Sequence, residues 1–91
     1  MTCKELGSYA GDATRAAIVT MLCTRTEHGL ESTVSDIQDQ TGIAMFDVFS
    51  ALRKLEHETI IDMVDDPSDP FGAKVSLRQD GVELLKQRAA A

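Results

Sequence analysis

The stretch Ser32-Thr33-Val34-Ser35-Asp36-Ile37-Gln38-Asp39-Gln40-Thr41-Gly42-Ile43-Ala44-Met45-Phe46-Asp47-Val48-Phe49-Ser50-Ala51-Leu52-Arg53-Lys54-Leu55 decides the fold. Ser32-Thr33-Val34 reads as a short extended piece. Ser35 and Gln38 have the spacing of a capping box, in which a hydroxyl and a carboxamide satisfy free amides at a helix start. The short helix this opens ends at Gly42, which readily takes the left-handed conformation that stops a helix. A third helix then starts near Ala44 and runs to about Glu56 or His57. Val48, Ala51, Leu52 and Leu55 recur along it at helical spacing and form one apolar face. Two short helices joined by a glycine-containing turn make a helix-turn-helix.

Upstream, Ile18, Met21 and Leu22 share a face of a helix from Ala13 to about Arg25, with Asp12 as its cap and Gly29 as a stop. Residues 1–11 lack apolar periodicity and read as a loose arm ahead of a domain spanning residues 12–91. Downstream, Thr59–Val64 is β-rich, Asp65–Gly72 is a turn-rich loop with two prolines, and Ala73–Leu77 reads as the returning strand. Val82, Leu85 and the alanine-rich end suit a closing helix from about Gln79. The expected fold is mainly α with a small β-hairpin (α+β), a winged helix-turn-helix. Its expected core is Ile18, Leu22, Ile37, Val48, Leu52, Leu55, Ile61, Val75 and Leu85.

Composition narrows the function classes. A chain of 91 residues has room for one small domain and little room for a deep cleft. The formal net charge is −6, the opposite sign from the usual nucleic-acid module. Between Thr26 and Ala73 eleven acids face only Arg53 and Lys54, and the remaining cations lie toward the ends. No apolar run reaches the roughly 18–20 residues of a membrane span, and the N-terminus lacks a signal-peptide pattern. Cys3 and Cys23 form no CxxC and no disulfide framework, which suggests a reduced cytoplasmic protein with incidental thiols. His28 and His57 have no partners at metal-ligand spacing. No phosphate-binding glycine loop and no nucleophile–base spacing is present, so neither an enzyme nor a cofactor or metal site is expected.

The run Thr33-Val34-Ser35-Asp36-Ile37, Thr41-Gly42-Ile43, Val48, Ala51-Leu52-Arg53-Lys54-Leu55-Glu56 and Ile60-Ile61 resembles the winged helix-turn-helix of MarR-type transcriptional regulators. The continuation Asp66-Pro67-Ser68-Asp69, Ala73-Lys74-Val75-Ser76-Leu77, Gly81 and Leu84-Leu85 is similar to the wing, the following strand and the next helix of that family. The likeness covers roughly residues 12–87. It implies duplex DNA binding by a dimer, with small polar residues on the third helix and arginine in the wing. This sequence has Ala44, Met45, Phe46, Asp47, Phe49 and Ser50 on that helix, and Pro70-Phe71-Gly72 at the wing position.

At about 100° per residue, Phe46, Phe49, Ser50, Arg53 and His57 lie opposite the apolar face of the third helix. Two outward phenylalanines suggest either a partner that covers them or packing beneath a neighbouring segment. The expected partner surface comprises Met45, Phe46, Asp47, Phe49, Ser50 and Arg53 with Asp65, Asp66, Asp69 and Phe71 of the wing. The wing aspartates could steer a basic partner, or simply favour turn geometry. The leading expectation is a small regulatory protein contacting a protein with a basic or apolar patch, which could itself be a nucleic-acid-binding protein. The alternative is a DNA-binding regulator of MarR-like type. The residues do not specify an oligomeric state.

Overall fold

The computed structural model describes all 91 residues. Five α-helices, a three-residue 3-10 turn and three strands follow in the order α1 (Cys3–Ser8), α2 (Ala13–Glu27), β1 (Ser32–Thr33), α3 (Val34–Thr41), α4 (Met45–His57), β2 (Ile61–Val64), the 3-10 turn (Pro70–Gly72), β3 (Lys74–Leu77) and α5 (Gln79–Ala90). The fold is mainly helical with one small antiparallel sheet, as the sequence predicts. All nine expected core residues are buried, joined by Leu6, Ala10, Val19, Val34, Ala51, Ile60 and Ala73. No helix is long and apolar enough to cross a membrane.

Local chemistry accounts for the element boundaries. Asp12 caps α2 by accepting the Arg15 amide at 3.0 Å. α3 ends at Gly42, whose φ of 69° is the left-handed conformation expected there. The capping box lies two residues earlier than the sequence reading places it. Thr33 accepts the Asp36 amide at 3.2 Å, and Asp36 accepts the Thr33 amide at 3.0 Å. Both pairs have capping chemistry, but pairing of Ser32 with Val75 and Thr33 with Lys74 fixes Thr33 as the last extended residue. The helix therefore starts at Val34.

β3 is the central strand, with β1 on one side and β2 on the other, both antiparallel. β2 begins at Ile61, two residues later than its β-rich composition indicates. Thr59 takes a left-handed φ of 62° as the chain leaves α4, so it cannot continue a strand. α5 crosses close over that exit. A Cβ on Gly81 would lie 2.5 Å from both Cα and O of Ile60, so the crossing requires glycine.

The N-terminal segment corrects two expectations. It is not a loose arm. Residues Cys3–Ser8 form a capped helix packed along α2, with Leu6 and Ala10 in the core. A Cβ on Gly7 would fall onto the Thr20 hydroxyl and within 2.7 Å of the Ala16 carbonyl oxygen. Nor are the cysteines incidental thiols, because a disulfide joins Cys3 to Cys23 with their Cα atoms 5.5 Å apart. Closing a loop across a sequence separation of 20 stabilises the fold by about 3 kcal/mol on chain-entropy grounds.

Candidate functional site

α4 has two dissimilar faces. Val48, Ala51, Leu52 and Leu55 turn inward and are buried. On the other side Phe46 is 83% exposed, and Asp47, Ser50 and Arg53 are also exposed. Met45 and Phe49 lie between the two faces, half buried and packed against the core. Only one of the two phenylalanines therefore points freely outward. Phe49 is covered from the wing side, where the Phe71 ring sits with its centroid 6.1 Å away at a tilt of 49°.

The loop between β2 and β3 is built by its own aspartates. Asp66 accepts the Ser68 amide at 3.0 Å and the Ser68 hydroxyl at 2.7 Å. Asp69 accepts the Phe71 amide at 3.0 Å and so opens the 3-10 turn. That turn packs against α3 and presents Phe71, 47% exposed, beside Phe49. Hydrogen bonds from the Ser68 hydroxyl and then its amide hold the Asp66 carboxyl below the usual carboxylate range. Asp65 is exposed and bonds to nothing in the loop. Two of the three wing acids thus shape the turn, as their structural reading anticipates.

The surface brings Phe49 and Phe71 together, with Phe46 exposed one turn before Phe49 on α4 and Ser50 and Arg53 further along the same helix. Arg53 is engaged by Glu56 at 3.0 Å. Every other lysine and arginine except Lys4 and Lys54 is likewise in an ion pair. Arg25 holds Asp36 and bonds the Ser32 hydroxyl and the Glu31 carbonyl oxygen, joining α2 to the start of the helix-turn-helix. Arg78 forks between Asp80 and Asp62, which raises its own affinity for its proton and holds the Asp80 carboxyl low. The cations serve mainly as internal ties.

One group of residues escaped the sequence reading. Arg15 at the start of α2 meets Arg53, Lys54 and His57 near the end of α4 around an open groove that also contains Glu58. Glu58 pairs with Arg15 at 3.7 Å and with Arg88 at 3.2 Å. No periodicity could reveal this grouping, because its members come from elements distant in sequence.

A search of solved structures places the architecture. A point mutant of S. aureus MepR superposes with a TM-score of 0.69 at 18% identity, over 97% of this chain and 63% of that one. Bordetella bronchiseptica BpsR, whose structure concerns regulation of DNA binding by 6-hydroxynicotinic acid, gives 0.65 at 18% identity, over 96% and 69%. The fold is that of a MarR-type winged helix. The transcriptional regulator PA4135 agrees, with a TM-score of 0.66 at 15% identity over 94% of this chain and 60% of that one. Regulation is thus the stated role of PA4135, and regulated DNA binding that of BpsR. This chain spans about three fifths of the length of MepR. No protein-family model and no curated protein sequence matches it.

Proposed function

We propose that this chain is a regulatory winged-helix module that contacts a protein partner through the outward side of α4 and the tip of the wing. The observation that carries this reading is the surface itself: a freely exposed Phe46 and the Phe49–Phe71 pair, bordered by acids, with its nearest arginine neutralised. Phe makes apolar contact with a thymine methyl but forms no hydrogen bond to a base edge. Asp47, Asp65 and Asp69 would repel phosphates, and few free cations are present to displace counterions. An aromatic cluster with an acidic rim suits a partner that has an apolar pocket within a basic surround. Residues 12–91 would form the winged-helix unit and residues 1–11 an addition packed on α2, acting without a catalytic step in the cytoplasm, where ambient thiols would hold the Cys3–Cys23 pair reduced.

Duplex binding is the second reading, and the fold comparisons favour it. The neighbours are DNA-binding regulators of MarR type, and the Arg15–Arg53–Lys54–His57 groove gives this chain one place to meet phosphates. Fluorescence anisotropy with a random duplex at about 50 and 150 mM salt separates the readings. Protein contact predicts no saturable binding at the higher salt. Submicromolar binding with a steep salt slope would establish the DNA reading instead.

A further inference from the structure

The disulfide has a third donor beside it. Cys23 and Glu27 lie one turn apart on α2, and Cys3 approaches them from α1. The two sulfurs and a Glu27 carboxylate oxygen all lie within 4.8 Å of one another. The cysteines are half buried and Glu27 is exposed, so the cluster opens to solvent on one side. Glu27 makes no ion pair, whereas eight of the fifteen acids do.

We propose that, once reduced, Cys3, Cys23 and Glu27 form a binding site for a thiophilic divalent cation of the zinc type. Two thiolates and one carboxylate are a donor set that zinc accepts, leaving a fourth position for water. Calcium and magnesium are excluded by the sulfur donors, since both take oxygen ligands. Distances also fit. Metal–sulfur bonds of about 2.3 Å and metal–oxygen bonds of about 2.0–2.2 Å put tetrahedral donors on the order of 3.5–4 Å apart. The present cluster, with a Cα–Cα distance of 5.5 Å between the cysteines, reaches that spacing by side-chain rotation.

Contacts besides the disulfide hold these donors near one another. Positions i and i+4 share a helix face, which fixes Cys23 relative to Glu27. Cys3 is placed by the Thr2 cap, by Leu6 and Ala10 in the core, and by the close approach of Gly7 to Ala16 and Thr20.

The chemistry balances with a dithiol as reductant. One thiolate of the dithiol attacks a cysteine sulfur, its second thiol resolves the mixed disulfide, and the dithiol leaves as a cyclic disulfide. Two electrons and two protons pass to Cys3 and Cys23. Metal binding then releases one proton from each thiol to solvent. Disulfide and metal are therefore alternative occupants of one place, and each ties α1 to α2.

The test is a cobalt titration of the full chain, reduced with a non-chelating phosphine and kept free of oxygen. One equivalent of Co2+ should produce thiolate-to-cobalt charge-transfer absorption with intense tetrahedral ligand-field bands, and Zn2+ should abolish both. The oxidised protein should show neither. Cys3→Ser and Cys23→Ser should each remove most of the charge-transfer intensity. Glu27→Gln, at an exposed position that should leave the fold intact, should weaken binding by about tenfold or more. Absence of a charge-transfer band in the reduced wild type would overturn the proposal. So would unchanged affinity in Glu27→Gln, or a stoichiometry of one metal per two chains.

Discussion

The two faces of α4 obey different rules. The inner face, Val48, Ala51, Leu52 and Leu55, meets the core, and its composition is what any winged helix requires. The outer face has no such obligation. Phe46, Asp47, Ser50 and Arg53 are exposed, and their identities affect what the surface touches more than whether the chain folds. The inner face explains how a fold can persist in neighbours 15–18% identical to this chain. The outer face explains why fold alone does not transfer a binding partner.

That contrast is open to direct attack. Leu52→Ala removes a fully buried side chain and should cost about 2–5 kcal/mol in chemical denaturation, because the packed surroundings relax only partly. A loss below about 1 kcal/mol would mean that the inner face is not the structural one. Gly81→Ala comes next, at about 1–3 kcal/mol, since the new Cβ must push α5 away from Ile60. Heat or urea unfolding would register either change.

Much of the inner face was legible in the sequence. Its apolar residues repeat at the helical period, and Gly42 marks the turn with the one residue suited to its φ. Cap placement was less legible. Ser35 and Thr33 are equally good caps, and strand pairing with β3, which sequence spacing does not show, chooses between them. Residues 1–11 look like a loose arm in the sequence because Leu6 and Ala10 are too few to give a period. Their burial is completed by α2 and by a disulfide whose spacing carries no signature. On the outer face, periodicity correctly turned Phe46 outward. It could not foresee that Phe71, brought back by the Asp69-capped turn, would cover Phe49.

The boundary between the faces gives a finer test. A double-mutant cycle on Phe49 and Phe71 should show a coupling of about 0.5–1.5 kcal/mol in folding stability, the value of a tilted aromatic pair. Phe46→Ala should stay within about 0.5 kcal/mol of wild type in folding. It should nevertheless weaken a bound protein partner by about 2 kcal/mol or more if Phe46 anchors that interface. Loss of folding in Phe46→Ala would place that ring in the core after all.

The smallest effect is the response of the wing to acid. The Asp66 carboxyl has a lowered pKa in the folded protein, chiefly through the Ser68 hydroxyl. Its contribution is present above the unfolded-state value of about 3.9 and is lost as the pH falls through the lower folded value. Proton exchange or NMR shifts of the Ser68 amide should therefore report loosening of the wing below about pH 4, in wild type but not in Asp66→Asn. The buried side chains of Val48, Ala51, Leu52 and Leu55 on α4, none of which titrates, should hold their signals over the same range.

The sheet has one further consequence, for how the molecule comes into being. Its middle strand, β3, is the last strand in the sequence, and both β1 and β2 hydrogen-bond to it alone. A ribosome making this chain releases the helix-turn-helix first, with two strands that have no mate until Lys74–Leu77 emerges. Local helices form without waiting, whereas the distant pairing of Ser32 with Val75 must overcome the entropy of closing the intervening loop. The wing is thus the clasp of the fold: it cannot fasten before Lys74–Leu77 is available to both of its neighbours.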